Sequence, residues 1–401
     1  MKTDLPIVAH VIRSYLSKTE TFVGNQIAAL GEYAPLVLCH HAIEEHDFPV
    51  ERLITAQDVL GRPLERKLNQ ALYRAGRMML PAVPNRMARL LWEQKARLLH
   101  FHFLVDARFF IALKRLSSLP AVVSCYGYDV SSFPHQFHGL GKQYLAPVFD
   151  QMDCFIAMSQ DMRADLLALG CPEKKIVVHY YGTDSRRFEF RERSYGNAGQ
   201  VTLLVTGSLV EKKGQRYVLQ ALKQVESQGM AKNPFRVVLV GAGPEEEALR
   251  QQVSAYGWTD RVVFAGHIPY DDPRHRAMYR QADIFTLPSV VARNGDKEGI
   301  PGTIVEAMAS GLPVVSTCHA GIPEIIQSGQ HGILVEERDV PALAAAYAAL
   351  IDHPSLRQHL GRAAASHALQ DLDLQRRTPY LERIYSQVIQ ARQAAKTPAR
   401  R

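Results

Sequence analysis

Five cysteines are scattered along the 401 residues at Cys39, Cys125, Cys154, Cys171 and Cys318, with no C-x-x-C pair. The odd, dispersed set excludes a disulfide framework and offers no zinc-ligand spacing, so buried thiols are expected. No apolar run approaches the roughly 18 residues of a membrane span. The opening MKTDLPIVAHVIRSYL is interrupted by Asp4, His10 and Arg13 where a signal peptide is apolar, which points to a cytoplasmic protein. No D-x-D motif stands at a strand end, and no aromatic platform or known module for nucleic acid is present. Metal, cofactor and nucleic-acid partner are accordingly all expected to be absent.

What is there is the composition of a soluble globular protein, 47% hydrophobic and 22% charged with 26 Gly and 22 Pro. The length suits two domains of roughly 150 to 200 residues each. The net charge of +7 is uneven, because residues 61–97 hold Arg62, Arg66, Lys67, Arg74, Arg77, Arg86, Arg89, Lys95 and Arg97 against Glu65 and Glu93. Leucines, methionines and Trp92 interleave with these cations. The segment reads either as a solvated helical face or as a peripheral contact with an anionic membrane.

Short β-branched runs alternate with amphipathic stretches from end to end. Strands are predicted at 5–12, 35–41, 98–103, 121–127, 154–159 and 175–182, then at 201–208, 236–243, 261–268, 283–289, 313–318 and 332–337. Most are nearly continuous in apolar residues, as in sheets covered on both faces, and helical-period segments such as 214–228, 244–256 and 303–310 separate them. Crossovers of this kind force parallel sheets, so the fold class is α/β with two doubly wound, Rossmann-like domains facing across a cleft. The boundaries fall at 1–190, 191–370 and 371–401, the joint lying in the polar stretch 186–200. The last segment is a long helix near 373–394, expected to return to the first domain, followed by a basic tail.

The stretch EGIPGTIVE, residues 298–306, follows a predicted strand end and opens a helix. Ligands of open α/β sheets bind at that edge, and a helix start with Gly302 and Thr303 offers amide donors and close backbone approach to a phosphate. Glu298 and Glu306 flank it. Carboxylates accept paired hydrogen bonds from vicinal hydroxyls, so acid on both sides of a phosphate site describes a sugar nucleotide. Two plainer readings stand beside this one. Thr303-Ile-Val-Glu306 has capping-box spacing, and Glu298 beside Lys297 fits an exposed loop acid.

The segment resembles the Glu-x7-Glu signature of glycosyltransferase family 4, retaining enzymes of the GT-B fold, and continues through AMASG and PVVST to Gly321-Ile-Pro-Glu324. The resemblance implies that Glu298 binds hydroxyls of the transferred sugar and Glu306 the nucleotide ribose. TGSLVEKKG (206–214) is similar to the family's diphosphate loop, implying donor contacts at Gly207, Ser208 and Lys213. Ser208 stands where an Arg is usual, leaving Arg216 or Lys212 as candidates to compensate. VGAGPEEEALR (240–250) resembles a family turn near the donor, with Gly241 and Gly243. Glu246 occupies the third position of any dinucleotide fingerprint there. RVVFAGHI implies base contacts at Gly266 and His267, against the plainer reading of an exposed loop histidine.

In the first half, LSKTETFVGNQIAAL (16–30), LLHFHF and SCYGYDVSSFP resemble members that build exopolysaccharide or lipopolysaccharide. Thr19, Glu20, Thr21 and Asp129 become acceptor-side candidates, Asp129 also fitting an Asx-type turn. Tyr126 replaces a His that faces the reacting sugar in many relatives. The implied catalytic set is therefore Glu298, Lys213 and Tyr126, with no metal. The implied activity is retaining transfer of a sugar from a nucleotide diphosphate sugar to a saccharide or polyprenyl-linked acceptor at the inner face of the membrane. Alternatives are a sugar-nucleotide epimerase or hydrolase of the same fold, and a noncatalytic nucleotide-sugar-binding protein.

Overall fold

The apolar runs become parallel strands. Seven build a first sheet: β1 (Ile7–Tyr15), β2 (Ala34–Ala42), β3 (Leu53–Thr55), β4 (Ala96–His102), β5 (Ala121–Ser124), β6 (Cys154–Ala157) and β7 (Ile176–Val178), in the order β3-β2-β1-β4-β5-β6-β7. Six build a second: β8 (Val201–Thr206), β9 (Phe235–Val240), β10 (Val262–Gly266), β11 (Ile284–Leu287), β12 (Val314–Thr317) and β13 (Gly332–Val335), in the order β10-β9-β8-β11-β12-β13. Both are doubly wound, and in each the strand order reverses between the first strand and the fourth, at β1/β4 and at β8/β11.

These strands belong to a computed structural model that describes residues 5–15, 20–43, 50–192 and 199–396. The chain divides into two units, Met1–Tyr181 with Arg377–Arg401, and Gly182–Arg376. Thr19 and part of the expected joint lie outside the described residues. Each long predicted strand run is present; β1 and β2 run past their predicted ends to Tyr15 and Ala42, and the others are trimmed where the chain turns out of the sheet. β3 was not foreseen, because three half-buried residues between Arg52 and Ala56 carry too little periodicity.

Strand interiors are apolar because helices cover both sheet faces; all six residues of β8 are buried. In the first unit the exception is polar. His10 of β1 stands in register with His100 of β4, and His102 with Ser124 of β5, so these residues form one buried row across the middle of the sheet.

The basic segment forms two helices, Pro63–Gly76 and Ala82–Glu93. The last helix, Leu374–Lys396, returns to the first unit: Glu382 Oε1 accepts the amides of Gly31 at 2.8 Å and Glu32 at 2.6 Å, and the Tyr385 hydroxyl lies 2.6 Å from His100 Nδ1. Within the second unit the outgoing and returning chain are stitched together, Thr183 N bonding Leu372 O and Leu374 N bonding Thr183 O at 2.9 Å each.

Candidate active site

In the second unit two loops meet at the carboxyl ends of β8 and β11, the switch point of the sheet. The first, 207–214, ends in Gly214 at φ +69°, where a Cβ would stand 1.9 Å from the carbonyl oxygen of Pro288. Only glycine permits that approach. It lets Val290 N donate to Lys212 O at 2.8 Å and draws the second loop, 288–301, alongside the first. Lys213 Nζ then lies 2.9 Å from Glu298 Oε1, in an ion pair whose side chains are 15% and 8% exposed. Lys212 bonds Asp296 at 3.1 Å and the Lys297 carbonyl at 3.3 Å.

Glu298 is buried, so it is not the exposed loop acid of the plainer reading. Burial by itself would push its carboxyl up, but Lys213 and Lys212, with the hydrogen bond from Lys213, outweigh that and hold it below the usual carboxylate range. A side chain from the next strand end supports it: Glu298 N donates to His319 Nε2 at 3.1 Å, and His319 Nδ1 lies 2.6 Å from Glu337 Oε1.

Glu306 sits on the helix Gly302–Ala309, whose N-cap is Pro301 with no side-chain capping bond. The capping-box reading therefore fails: the helix begins one residue before Thr303, and Glu306 turns inward to accept a 2.6 Å hydrogen bond from the Tyr279 hydroxyl. Burial raises the Glu306 carboxyl to about 7, against the lowering effects of Tyr279 and of Arg187. Thr303 Oγ1 is a buried hydroxyl oxygen without a hydrogen-bond partner among the described residues.

The Gly241-Ala-Gly243 turn packs on the first loop, since a Cβ on Gly241 would meet Gly207 O at 2.0 Å and one on Gly243 would meet Leu209 O at 2.4 Å. Gly207 lies beneath the Lys213 stem. Ser208 accepts at its carbonyl from Gln215. Neither cation considered as a substitute for the missing arginine is uncommitted: Arg216 pairs with Glu245, and Lys212 is held as described. His267 is exposed, next to Gly266 at φ +69°.

In the first unit Asp129 is a backbone brace. Oδ2 accepts from Leu104 N at 2.9 Å, at the start of the helix Leu104–Phe109, and Oδ1 from Tyr126 N at 3.1 Å and Gly127 N at 3.2 Å; these donors precede Asp129, so the arrangement ties the preceding turn and is not an Asx turn, whose donor lies two residues on. Tyr126 packs on Phe22 and Phe103, and its hydroxyl lies 2.8 Å from His102 Nδ1. Burial pushes that hydroxyl well above its ordinary range, so it stays protonated and acts as a hydrogen-bonding group, not a base. Glu20 precedes the helix Thr21–Ala28, which Thr21 begins.

Sequence reading passed over Arg13 and Asp106 nearby. Arg13 N donates to Asp106 Oδ2 at 2.7 Å, and burial raises the Asp106 carboxyl to about 7. It also passed over His10, His100 and His102, although His-Phe-His on a strand is a visible sign of one polar face. One ligand atom from each of these three lies within 4.8 Å of the others. Five of their six nitrogens are turned to one another and to hydroxyls, His10 Nδ1 to His102 Nε2 at 3.1 Å, His100 Nε2 to Ser124 Oγ at 2.8 Å, His100 Nδ1 to Tyr385 and His102 Nδ1 to Tyr126, while His10 Nε2 is buried without a partner among the described residues. Among the described residues these hydrogen bonds make the three a buried polar row crossing the sheet.

Comparison with known proteins decides the family. Glycosyltransferase Family 4 matches residues 25–187, and Glycosyl transferases group 1 matches residues 200–353. The chain belongs to glycosyltransferase family 4. Its two doubly wound units and returning C-terminal helix are the GT-B architecture of that family. A relative in Salmonella typhimurium, the putative colanic acid biosynthesis glycosyltransferase WcaL, is 37% identical over 59% of the chain, and the match spans 57% of the relative's own length. The GDP-mannose-dependent alpha-(1-6)-phosphatidylinositol monomannoside mannosyltransferase of Mycolicibacterium smegmatis is 28% identical over 98% of both chains. Among solved structures, Anabaena HepE in complex with UDP-glucose has a TM-score of 0.74 at 19% identity, covering 95% of this chain and 99% of the other. At that identity the structural likeness speaks for the fold.

Proposed function

We propose that this family 4 protein transfers a sugar, with retention of configuration, from a nucleotide diphosphate sugar to a saccharide or polyprenyl-linked acceptor in cell-surface polysaccharide assembly. The observation that carries the reading is the buried Lys213–Glu298 pair, 2.9 Å apart, at the switch point of the second sheet. An ammonium has three donors; one serves Glu298 and two remain for diphosphate oxygens as charge builds on the leaving group. The helix start at Gly302 and Thr303 adds positive potential. Nothing in the fold demands glycine at 302, where a Cβ would meet only Thr183 Oγ1 at an ordinary 3.7 Å, so its use is attributed to a ligand lying against the backbone. Glu298 would hold sugar hydroxyls and Glu306 the ribose. The acceptor hydroxyl attacks from the face the diphosphate leaves, passing its proton to phosphate, so no enzyme nucleophile and no metal is invoked.

The reading is supported by the relatives named for polysaccharide and glycolipid synthesis, and by a structural neighbour that holds UDP-glucose. Thermal shift against UDP-, GDP- and ADP-sugars identifies the donor, since a ligand of the folded state raises the melting temperature. Glu298→Ala and Lys213→Ala are each expected to cut transfer by about 10²-fold or more while the protein stays folded. Near wild-type turnover in both variants removes the assignment.

We also propose that the first unit works at the inner face of the membrane. No helix among the described residues is long and apolar enough to cross a membrane. The helices Pro63–Gly76 and Ala82–Glu93 nevertheless present Leu64 at 76% and Trp92 at 85% exposure. Glu65 is neutralised by Arg86 and Glu93 by Arg89, so Arg62, Lys67, Arg74, Arg77, Lys95 and Arg97 dominate the exposed charge. Such a face suits anionic headgroups. Cosedimentation with phosphatidylglycerol vesicles at low salt, lost on phosphatidylcholine vesicles or with Trp92→Ala and Arg74→Ala combined, is the expected outcome; equal binding to both lipids counts against it.

A further inference from the structure

Residues 288–301 carry no regular secondary structure, yet Ser289, Val290, Ala292 and 298–301 are buried. Irregular buried backbone needs partners for its polar groups. Bonds to the 207–214 loop hold the middle of the segment through Lys212 O, Lys212 with Asp296, and Glu211 with Arg293. The amide of Glu298 is held differently. It donates to His319 Nε2 at 3.1 Å, and the imidazole, 1% exposed, reaches Glu337 Oε1 through Nδ1 at 2.6 Å. The other oxygen of Glu337 accepts from Val291 N at 2.9 Å. One imidazole–carboxylate pair thus fastens the segment near both ends, joining the carboxyl edges of β11, β12 and β13.

The hydrogen bonds fix the tautomer. Because Nε2 accepts from a backbone amide, the ring proton sits on Nδ1 and is donated to Glu337. A neutral, oriented imidazole therefore supports the loop that carries Glu298, and no other acceptor among the described residues serves that amide.

We propose that His319 is a positioning residue for Glu298: with Glu337 it sets the backbone from which the Glu298 carboxylate meets Lys213 and the transferred sugar. The inference rests on the reading of Glu298 as the sugar-binding acid. Misplacement of a reacting group by about 1 Å costs on the order of 10²-fold in rate. The loss falls on the sugar, because the ribose carboxylate Glu306 stands on the helix Gly302–Ala309, to which His319 makes no hydrogen bond among the described residues.

The test compares His319→Leu, which keeps volume and removes the acceptor, with His319→Gln, whose amide oxygen can replace Nε2. Turnover is measured with the donor that the wild type uses from the UDP-, GDP- and ADP-sugar panel. Binding of the matching nucleoside diphosphate is measured by calorimetry. His319→Leu is expected to lose about 10²-fold in kcat, with nucleoside diphosphate affinity changed less than about threefold, and His319→Gln to recover at least about tenfold. Wild-type kcat in His319→Leu, or no recovery in His319→Gln, overturns the proposal. Should His319→Leu fail to fold, Glu337→Gln decides: a drop in kcat at unchanged nucleotide affinity supports it, and an unchanged kcat overturns it. A wild type that turns over no donor defeats the functional reading instead. In that case hydrogen exchange across 291–300 still separates the two, since His319→Leu must speed exchange there if the imidazole holds the loop, and unchanged exchange overturns the inference.

Discussion

At the residue scale, Glu306 shows how burial sets chemistry. With its carboxyl raised to about 7, it is a mixture of acid and carboxylate at neutral pH. The neutral acid offers a proton where the carboxylate offers two acceptor oxygens to a vicinal diol, so ionisation favours ribose. Donor affinity is expected to rise as pH goes from about 6 to 8, and Glu306→Gln to flatten the dependence; calorimetric titrations of nucleotide against pH read it directly. Tyr279→Phe removes the hydroxyl that donates to Glu306 and leaves a buried oxygen short of a partner, at a cost of roughly 1–3 kcal/mol in urea unfolding. The spacing that suggested a cap was legible; the inward turn was not, since Tyr279 lies 27 positions away and only the fold brings it there.

At the element scale, the loops after β8 and β11 matter more than the strands that carry them. Gly214 is where they interlock, and Gly214→Ala must displace the Pro288 carbonyl from a position 1.9 Å from the new Cβ. The variant is expected to lose roughly 1–3 kcal/mol, with a fall in transfer per folded molecule, because Lys213 precedes the strained residue. Wild-type stability by urea denaturation contradicts this. Strand positions were readable because parallel strands covered on both faces are apolar throughout, and Val201–Thr206 or Val314–Thr317 leave no other reading. The support of Glu298 was not readable. His319 and Glu337 come from separate strand ends, and neither sits in a local pattern that assigns it a partner.

At the scale of the whole molecule, the chain is discontinuous: the first unit is completed by residues after Arg377, and the Tyr385 hydroxyl reaches the histidine row inside its sheet. That row, with other buried imidazoles, makes stability depend on pH. Burial lowers His10 and His179 to about 3 and His40 to about 4, and holds His100 and His102 well below the ordinary value of 6.5. In the unfolded chain these groups take up protons near 6.5, so between that pH and the folded values the unfolded state binds more protons and stability falls as pH falls. Asp106 and Glu306, each raised to about 7, act in the opposite sense between about 4 and 7, because there the folded state keeps the proton. These five imidazoles outnumber the acids that burial raises, Asp106, Glu306, Asp129 and Asp184, and His10 and His179 are displaced as far as Asp106 or Glu306. Melting temperature is therefore expected to drop by roughly 5 °C or more from pH 7 to pH 5. A flat or rising profile means that the His10–His100–His102 row does not stay neutral in the folded protein. His100→Gln should reduce the slope, since an amide hydrogen-bonds to Ser124 and Tyr385 without titrating.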